Sequence, residues 1–280
     1  MTTSSTFDPR CVVITGSSRG IGFGLAQAFL KRGCHLVVSG RDRASLDRAL
    51  NQLQDEFGTH RVIAQCCDVA DPQSVQALWD AAYGQFGQVD IWINNAGTCH
   101  PTLAFAELSP DQLQCVINTN VLGTAVASHQ ALRGMLAQGH GQLLSMEGWG
   151  SQGQISAGTS AYTTSKRAVS HLVRAIRKEV QNPAIQLGLL SPGMVATDLL
   201  IDSWTQGDAA NWQRMRRLFL FVIDPPEPVC AYLAERVLGN RKPFTRIAWM
   251  TPWRLFQRLF SPYYWRRNPL RGTALDQMDS

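Results

Sequence analysis

CVVITGSSRGIGFGLAQAFLKRG, residues 11–33, passes from an apolar β-branched run through a glycine-rich turn into an amphipathic helical stretch. CVVIT (11–15) reads as a strand. Gly16, Ser18, Arg19, Gly20, Ile21 and Gly22 make the turn and open the helix. Glycine here lets backbone N–H groups approach a pyrophosphate, whose charge the helix N-terminus stabilises. A plain tight turn is the bland alternative. The strand–turn–helix order favours the dinucleotide site.

Outward from this unit the pattern repeats. Strand-like runs are HLVVS (35–39), RVIAQC (61–66), VDIWIN (89–94), GQLLSM (141–146), IQLGLL (185–190) and RIAWM (246–250), with helical stretches such as SVQALWDAAYGQFG between them. The runs are continuously apolar, as expected where helices cover both faces of a sheet. Repeated βα units predict an α/β fold with a doubly wound parallel sheet of the Rossmann type, about seven strands in all. The 280 residues, 45% hydrophobic and 17% charged, suit one large domain over two small ones. Within 1–280 we expect a cofactor and catalytic core at 10–197, a substrate lid or helices at 198–240 and a basic aromatic segment at 241–280.

The longest apolar candidate for a membrane span, Leu218 to Ile223, is far too short. MTTSSTFDPR resembles neither a signal peptide nor a transit peptide. Seven cysteines form no CxxC pair and read as reduced core thiols. The expected setting is a cytoplasm-like compartment, with no metal. Net charge is +5, but from Arg241 to Arg271 there are eight Lys/Arg and no acid, so the basic character belongs to the tail.

The second strand ends at Ser39-Gly40-Arg41 without the acid that would accept from a ribose 2′-hydroxyl. Arg41 and Arg19 supply positive charge instead, which matches a 2′-phosphate and predicts NADPH. In SAYTTSKRAVSHL, Tyr162 and Lys166 lie one helical turn apart, so the cation can lower the phenol's pKa.

With CDV (67–69), NNAG (94–97), Asn120 in NTNVLG, YTTSK (162–166) and SPGMVATD (191–198), residues 10 to 200 resemble the short-chain dehydrogenase/reductase family. The resemblance implies that Asp68 and Val69 flank the adenine and that Asn95, Ala96 and Gly97 pass near its ribose. It also implies that Pro192, Gly193, Val195 and Thr197 border the nicotinamide. Tyr162 is then the proton donor to an alkoxide. Lys166 holds the nicotinamide ribose, and Asn120 holds a water that relays protons to Lys166.

There is one departure. The family's carbonyl-orienting serine belongs about where Met146 and Glu147 stand, and methionine cannot donate a hydrogen bond. Ser151 is nominated in its place, with Ser145 as the fallback. Glu147 is either a supporting acceptor or a satisfied strand-end carboxylate.

The series IWINNAG, MEGWGS, SPGMVATDLL and WMTPWRLF looks like the chlorophyll b reductase branch, which implies NADPH reduction of the 7-formyl group of chlorophyll(ide) b. A generic carbonyl or 3-oxoacyl reductase is the alternative, and a non-catalytic NADPH- or pigment-binding scaffold a minor one. Trp149, Trp204, Trp212, Phe219 and Phe221 are candidates to line a hydrophobic substrate mouth, with buried core as the competing reading. The missing transit peptide points to a bacterial chain or one made without import. WRLFQRLF (253–260) and YYWRR have the composition of a membrane-interface segment, so peripheral contact with a membrane, photosynthetic or other, is a second expectation for location. Nucleic acid is not expected. A homodimer or homotetramer is implied by the resemblance.

Overall fold

In the computed structural model, which describes residues 9–207 and 209–277, seven parallel strands form one sheet in the order β3-β2-β1-β4-β5-β6-β7. The strands are β1 (Cys11–Ile14), β2 (His35–Gly40), β3 (Val62–Cys66), β4 (Ile91–Asn94), β5 (Gly141–Met146), β6 (Ile185–Ser191) and β7 (Phe244–Ala248). β7 starts two residues before the expected run. Its pairing with β6 (Leu187↔Phe244 through Ser191↔Ala248) fixes that register.

Helices α1 (Gly20–Leu30), α2 (Arg43–Phe57), α3 (Pro72–Phe86), α4 (Pro110–Ile117), α5 (Gly123–Gln138) and α6 (Ser160–Glu179) fill the crossovers. α7 (Asp198–Thr205), α8 (Ala209–Val222) and α9 (Pro226–Leu238) stand between β6 and β7. α10 (Pro252–Leu259), α11 (Pro262–Arg266) and the single turn α12 (Ala274–Gln277) follow β7.

β1 shows why its sequence is apolar throughout. Val12 and Ile14 enter one core with Leu25 and Phe29 of α1, whereas Cys11 and Val13 enter another with Trp79 and Trp92. Alternate side chains leave opposite sheet faces, and each face carries a helical layer. Asp71 with Pro72, and Ser109 with Gln112, cap α3 and α4. β1 lies between β2 and β4, so the chain winds away from it in both directions. A crevice opens there at the carboxyl ends of the strands, where ligands bind in such sheets.

Candidate active site

The glycine turn closes over this crevice. Gly16 has φ +62°, and a Cβ there would meet the backbone of Ala96. Asn95 stitches the two loops together: its Nδ2 donates to the carbonyls of Thr15 (2.9 Å) and Gly16 (2.8 Å), and its N–H donates to Thr15 Oγ1 (3.0 Å). A side chain at Gly22 would overlap the Gly16 carbonyl and Asn95. Arg19, the residue before α1, provides no side-chain cap, so the first-turn N–H groups around Gly20 and Ile21 face the crevice. These features fit a pyrophosphate.

At the end of β2, Arg41 is exposed. The nearest acid, Asp42, is occupied, because its carboxylate accepts from Ser45 N–H (2.8 Å) and caps α2. A hydrogen bond from the Ser45 side chain, followed by the one from the Ser45 backbone N–H, holds its carboxyl below the usual range. Ser18 lies against Gly40. Asp68 is exposed, with one carboxylate oxygen accepting from Ala70 N–H (3.0 Å), and buried Val69 packs against Gly123. On the far wall, Gly193, next to buried Pro192, lies against Trp249 and Met250, and Val195 bridges to Asp224. Thr197 reaches Gly20, and Arg19 meets Asp198 at 3.7 Å in an exposed pair. The cofactor-side residues named from the sequence thus surround one crevice.

Tyr162 and Lys166 share the inner face of α6. Lys166 Nζ is 5.9 Å from the centre of the Tyr162 ring, donates to the Met146 carbonyl (3.3 Å) and lies beside Gly97. The electrostatics differ from the expected simple depression of the phenol pKa. Burial pushes Tyr162 up, and nearby Cys99 adds to that rise. Burial also lowers Lys166 to about 8, against opposing contributions from Cys99 and Glu147. Withdrawal from water outweighs pairing in the protein by itself.

Asn120 sits in a π-helical turn (Asn118–Leu122) between α4 and α5, a distortion frequent at functional sites. Its amide donates to Thr98 O and to Ser165 Oγ (both 2.9 Å), and its Oδ1 accepts from Thr98 N–H (2.8 Å). It therefore ties the loop after β4 to α6. Among the described residues no direct Asn120–Lys166 bond is formed.

Ser151 is placed differently from its nomination. Its buried hydroxyl donates to the Lys166 carbonyl (3.2 Å) and accepts from Gly148 N–H (3.1 Å). Its proton is engaged by the backbone of α6. Ser145 is also buried, accepting from Asn94 (3.2 Å). The position that faces the Tyr162 hydroxyl is Gly148, where an added Cβ would overlap that oxygen. Glycine offers no side-chain donor at that spot.

Two further residues matter. Glu147 is buried and accepts from Gln152 (2.5 Å), Ser170 (2.9 Å) and Arg246 (2.7 Å), so it anchors the loop carrying Gly148 and Ser151. His100, which the sequence reading missed, accepts the N–H of Tyr162 at Nε2 (3.4 Å) and contacts Pro101 O through Nδ1 (2.7 Å). Those partners assign the neutral tautomer protonated at Nδ1. His100 therefore caps the first turn of α6, where Thr159 gives no side-chain cap. A lone histidine in GTCHP carries no spacing signal that could have revealed this.

Four of the five aromatic candidates for the mouth belong to the interior. Trp204, Trp212 and Phe219 pack edge-on or tilted against one another, and Phe221 lies against Trp265; all four are buried. Trp149 alone is half exposed. One cavity, about 200 Å³, lies beside the loop after β4 and is lined by Arg19, Cys99, His100, Leu199, Asp202 and Gln206; neither Tyr162 nor Lys166 lines it. α7 closes it, and Thr102 pins that helix through two bonds to Ser203 O (2.9 and 3.0 Å).

Comparison with known proteins agrees with this geometry. Residues 10–208 match the model of the short chain dehydrogenase family. The chlorophyll(ide) b reductase NOL of Oryza sativa subsp. japonica is 34% identical over 264 residues, 90% of this chain and 75% of that protein. Levodione reductase superposes with a TM-score of 0.76 at 22% identity, over 90% of this chain and 98% of that one. A Brucella melitensis 3-ketoacyl-(acyl-carrier-protein) reductase complexed with NADH gives 0.72 at 22% identity, over 86% and 96%. The likeness spans the glycine turn, the Tyr–Lys helix and the seven-stranded sheet, and the chain belongs to the short-chain dehydrogenase/reductase family of oxidoreductases.

Proposed function

We propose that the protein is an NADPH-dependent reductase that converts a carbonyl to an alcohol. Its proposed substrate is the 7-formyl group of chlorophyll(ide) b, giving 7-hydroxymethyl chlorophyll(ide) a. One observation carries the reductase reading: the Tyr162 hydroxyl and the Lys166 ammonium converge beside Gly148 and Gly97, at the carboxyl ends of β5 and β4. When bound in the crevice, reduced nicotinamide would supply the hydride that the carbonyl carbon accepts. Tyr162 then gives its proton to the oxygen, which would otherwise carry a full negative charge. Lys166, still protonated below about pH 8, stabilises the resulting phenolate and holds the nicotinamide ribose. Asn120 fixes the position of α6 against the loop after β4. Ser151 acts through Gly148, by holding the loop that approaches the Tyr162 hydroxyl.

On the cofactor side, Arg41 and Arg19 take the 2′-phosphate while Asp42 stays committed to its helix. Asp68 and Val69 would hold the adenine, Asn95 to Gly97 its ribose, and Pro192, Gly193, Val195 and Thr197 the nicotinamide. Likeness to the rice reductase over 90% of the chain supports the pigment substrate. A cavity of about 200 Å³ is small for a tetrapyrrole, so this substrate requires α7 to swing outward and release Thr102 from Ser203. The second reading, a generic carbonyl or 3-oxoacyl reductase, needs no such motion and is favoured by that same small cavity. An idle scaffold would not need the intact Tyr–Lys pair. We further assign a homodimer or homotetramer and peripheral membrane contact through the C-terminal segment.

Incubation with chlorophyllide b and either NADPH or NADH, followed by the Soret band, tests the proposal. A shift with NADPH faster than with NADH is expected. Turnover of simple aldehydes without any shift would leave the generic reductase. Equal or better use of NADH would overturn the cofactor assignment.

A further inference from the structure

The tail is turned inside out relative to a solvated basic helix. Buried Arg258 and part-buried Arg267 both pair with Asp224, which also accepts from Trp249 Nε1 (2.6 Å), and Arg267 reaches its other oxygen at 2.8 Å. Arg254 stacks on Trp249 (3.9 Å) and Tyr232 (4.5 Å). With those cations facing inward, seven large apolar side chains face out: Trp253, Leu255, Phe256, Leu259, Phe260, Tyr263 and Trp265. Phe260 is 72% exposed, Trp253 66%, Tyr263 65% and Trp265 63%. Trp253 stacks on Phe256 at 5.7 Å and Phe256 meets Phe260 at 4.9 Å, so the rings form one contiguous ridge along α10. A patch of this kind marks a surface that something covers.

Charge decides what covers it. Arg266 is exposed on α11, and Arg214 and Arg217 are exposed on α8, which meets α11 where Phe221 packs on Trp265 (4.9 Å). No Asp or Glu occurs from 209 to 223 or from 241 to 275. A second copy of this face would set arginine against arginine with no acid to pair. An anionic lipid surface supplies the missing charge and accepts the rings at the level of its headgroups.

We propose that the outer face of α10 and α11, with the arginines of α8, docks on an anionic bilayer surface. Trp253, Phe256, Phe260, Tyr263 and Trp265 enter the boundary between headgroups and acyl chains. This deepens the peripheral-contact assignment above and is independent of the substrate. Behind the ridge, the backbone of Asp224 bonds Met194 and Ala196 (both 2.9 Å), so the docked face backs directly onto the loop assigned to the nicotinamide. Among the described residues no helix is long and apolar enough to cross a membrane, and the contact proposed is confined to one leaflet's surface.

The test is cosedimentation of the full chain with vesicles of phosphatidylcholine alone and of phosphatidylcholine mixed with phosphatidylglycerol, at low and high salt. Partitioning onto the mixed vesicles that weakens with salt is expected. A W253S/F256S/F260S variant should partition at least about tenfold more weakly. R214E/R217E/R266E should lose the preference for phosphatidylglycerol. Circular dichroism and cofactor binding establish that both variants are folded. The proposal is overturned if the folded wild type ignores the mixed vesicles or if the aromatic variant binds them equally well. It is also overturned if light scattering shows that the aromatic variant dissociates an oligomer while neither protein binds lipid, because the ridge is then a subunit contact.

Discussion

Replacing Gly148 with alanine adds one methyl group where the Tyr162 hydroxyl leaves no room for it. The new Cβ would overlap the Tyr162 hydroxyl and come to 3.1 Å from both Tyr162 Cζ and Lys166 Cγ, where ordinary contact begins at 3.4 Å. The phenol must therefore retreat by about 1 Å, a misplacement of reacting groups that lowers turnover by roughly 100-fold. That factor corresponds to about 2.7 kcal/mol of transition-state stabilisation. The glycine turn and the β2 end lie elsewhere in the crevice, so cofactor affinity should change little. Single-turnover and steady-state loss of reduced nicotinamide absorbance, with an aldehyde that the wild type reduces, gives kcat. Cofactor fluorescence titration gives Kd, and thermal unfolding checks the fold. Full kcat in a folded Gly148→Ala enzyme would refute the placement of the Tyr162 hydroxyl against residue 148, and with it the reading of this loop as the carbonyl site.

Tyr162→Phe should bind NADPH nearly as the wild type does and lose turnover; substantial residual reduction, measured by the same absorbance assay, removes Tyr162 as proton donor. Lys166 titrates near 8 because burial disfavours its charge. As pH rises through about 8 the ammonium is lost, so a pH–kcat profile for reduction should fall on that limb, and a flat profile up to pH 10 contradicts the role given to Lys166. Asp224→Ala leaves the guanidiniums of buried Arg258 and part-buried Arg267 without their carboxylate, which should lower stability by about 3–5 kcal/mol. Urea denaturation reads that loss, and a change under about 1 kcal/mol would mean that the pair is solvated in solution.

The sequence by itself determined the sheet, the dinucleotide crevice and the Tyr–Lys helix, because each rests on local rules. Strands covered on both faces must be apolar throughout, a turn that admits a phosphate must be glycine-rich, and residues one helical turn apart share a face. The start of β7 was displaced by two residues, since pairing with β6 rather than composition sets strand limits. The stretch after Asp198, expected as a lid or helices, folds as α7 and α8, and only packing in three dimensions shows that their Trp204, Trp212 and Phe219 fill a core of their own. What only the tertiary structure decided are contacts between segments distant in the chain. Spacing could not reveal that Ser151 spends its proton on Lys166's carbonyl, that Gly148 faces the phenol, or that His100 caps α6. Nor could composition show that the tail's arginines turn inward on Asp224 while its rings face out. A buried carboxylate recruits whichever guanidinium the fold brings to it, and that choice is made by packing in three dimensions.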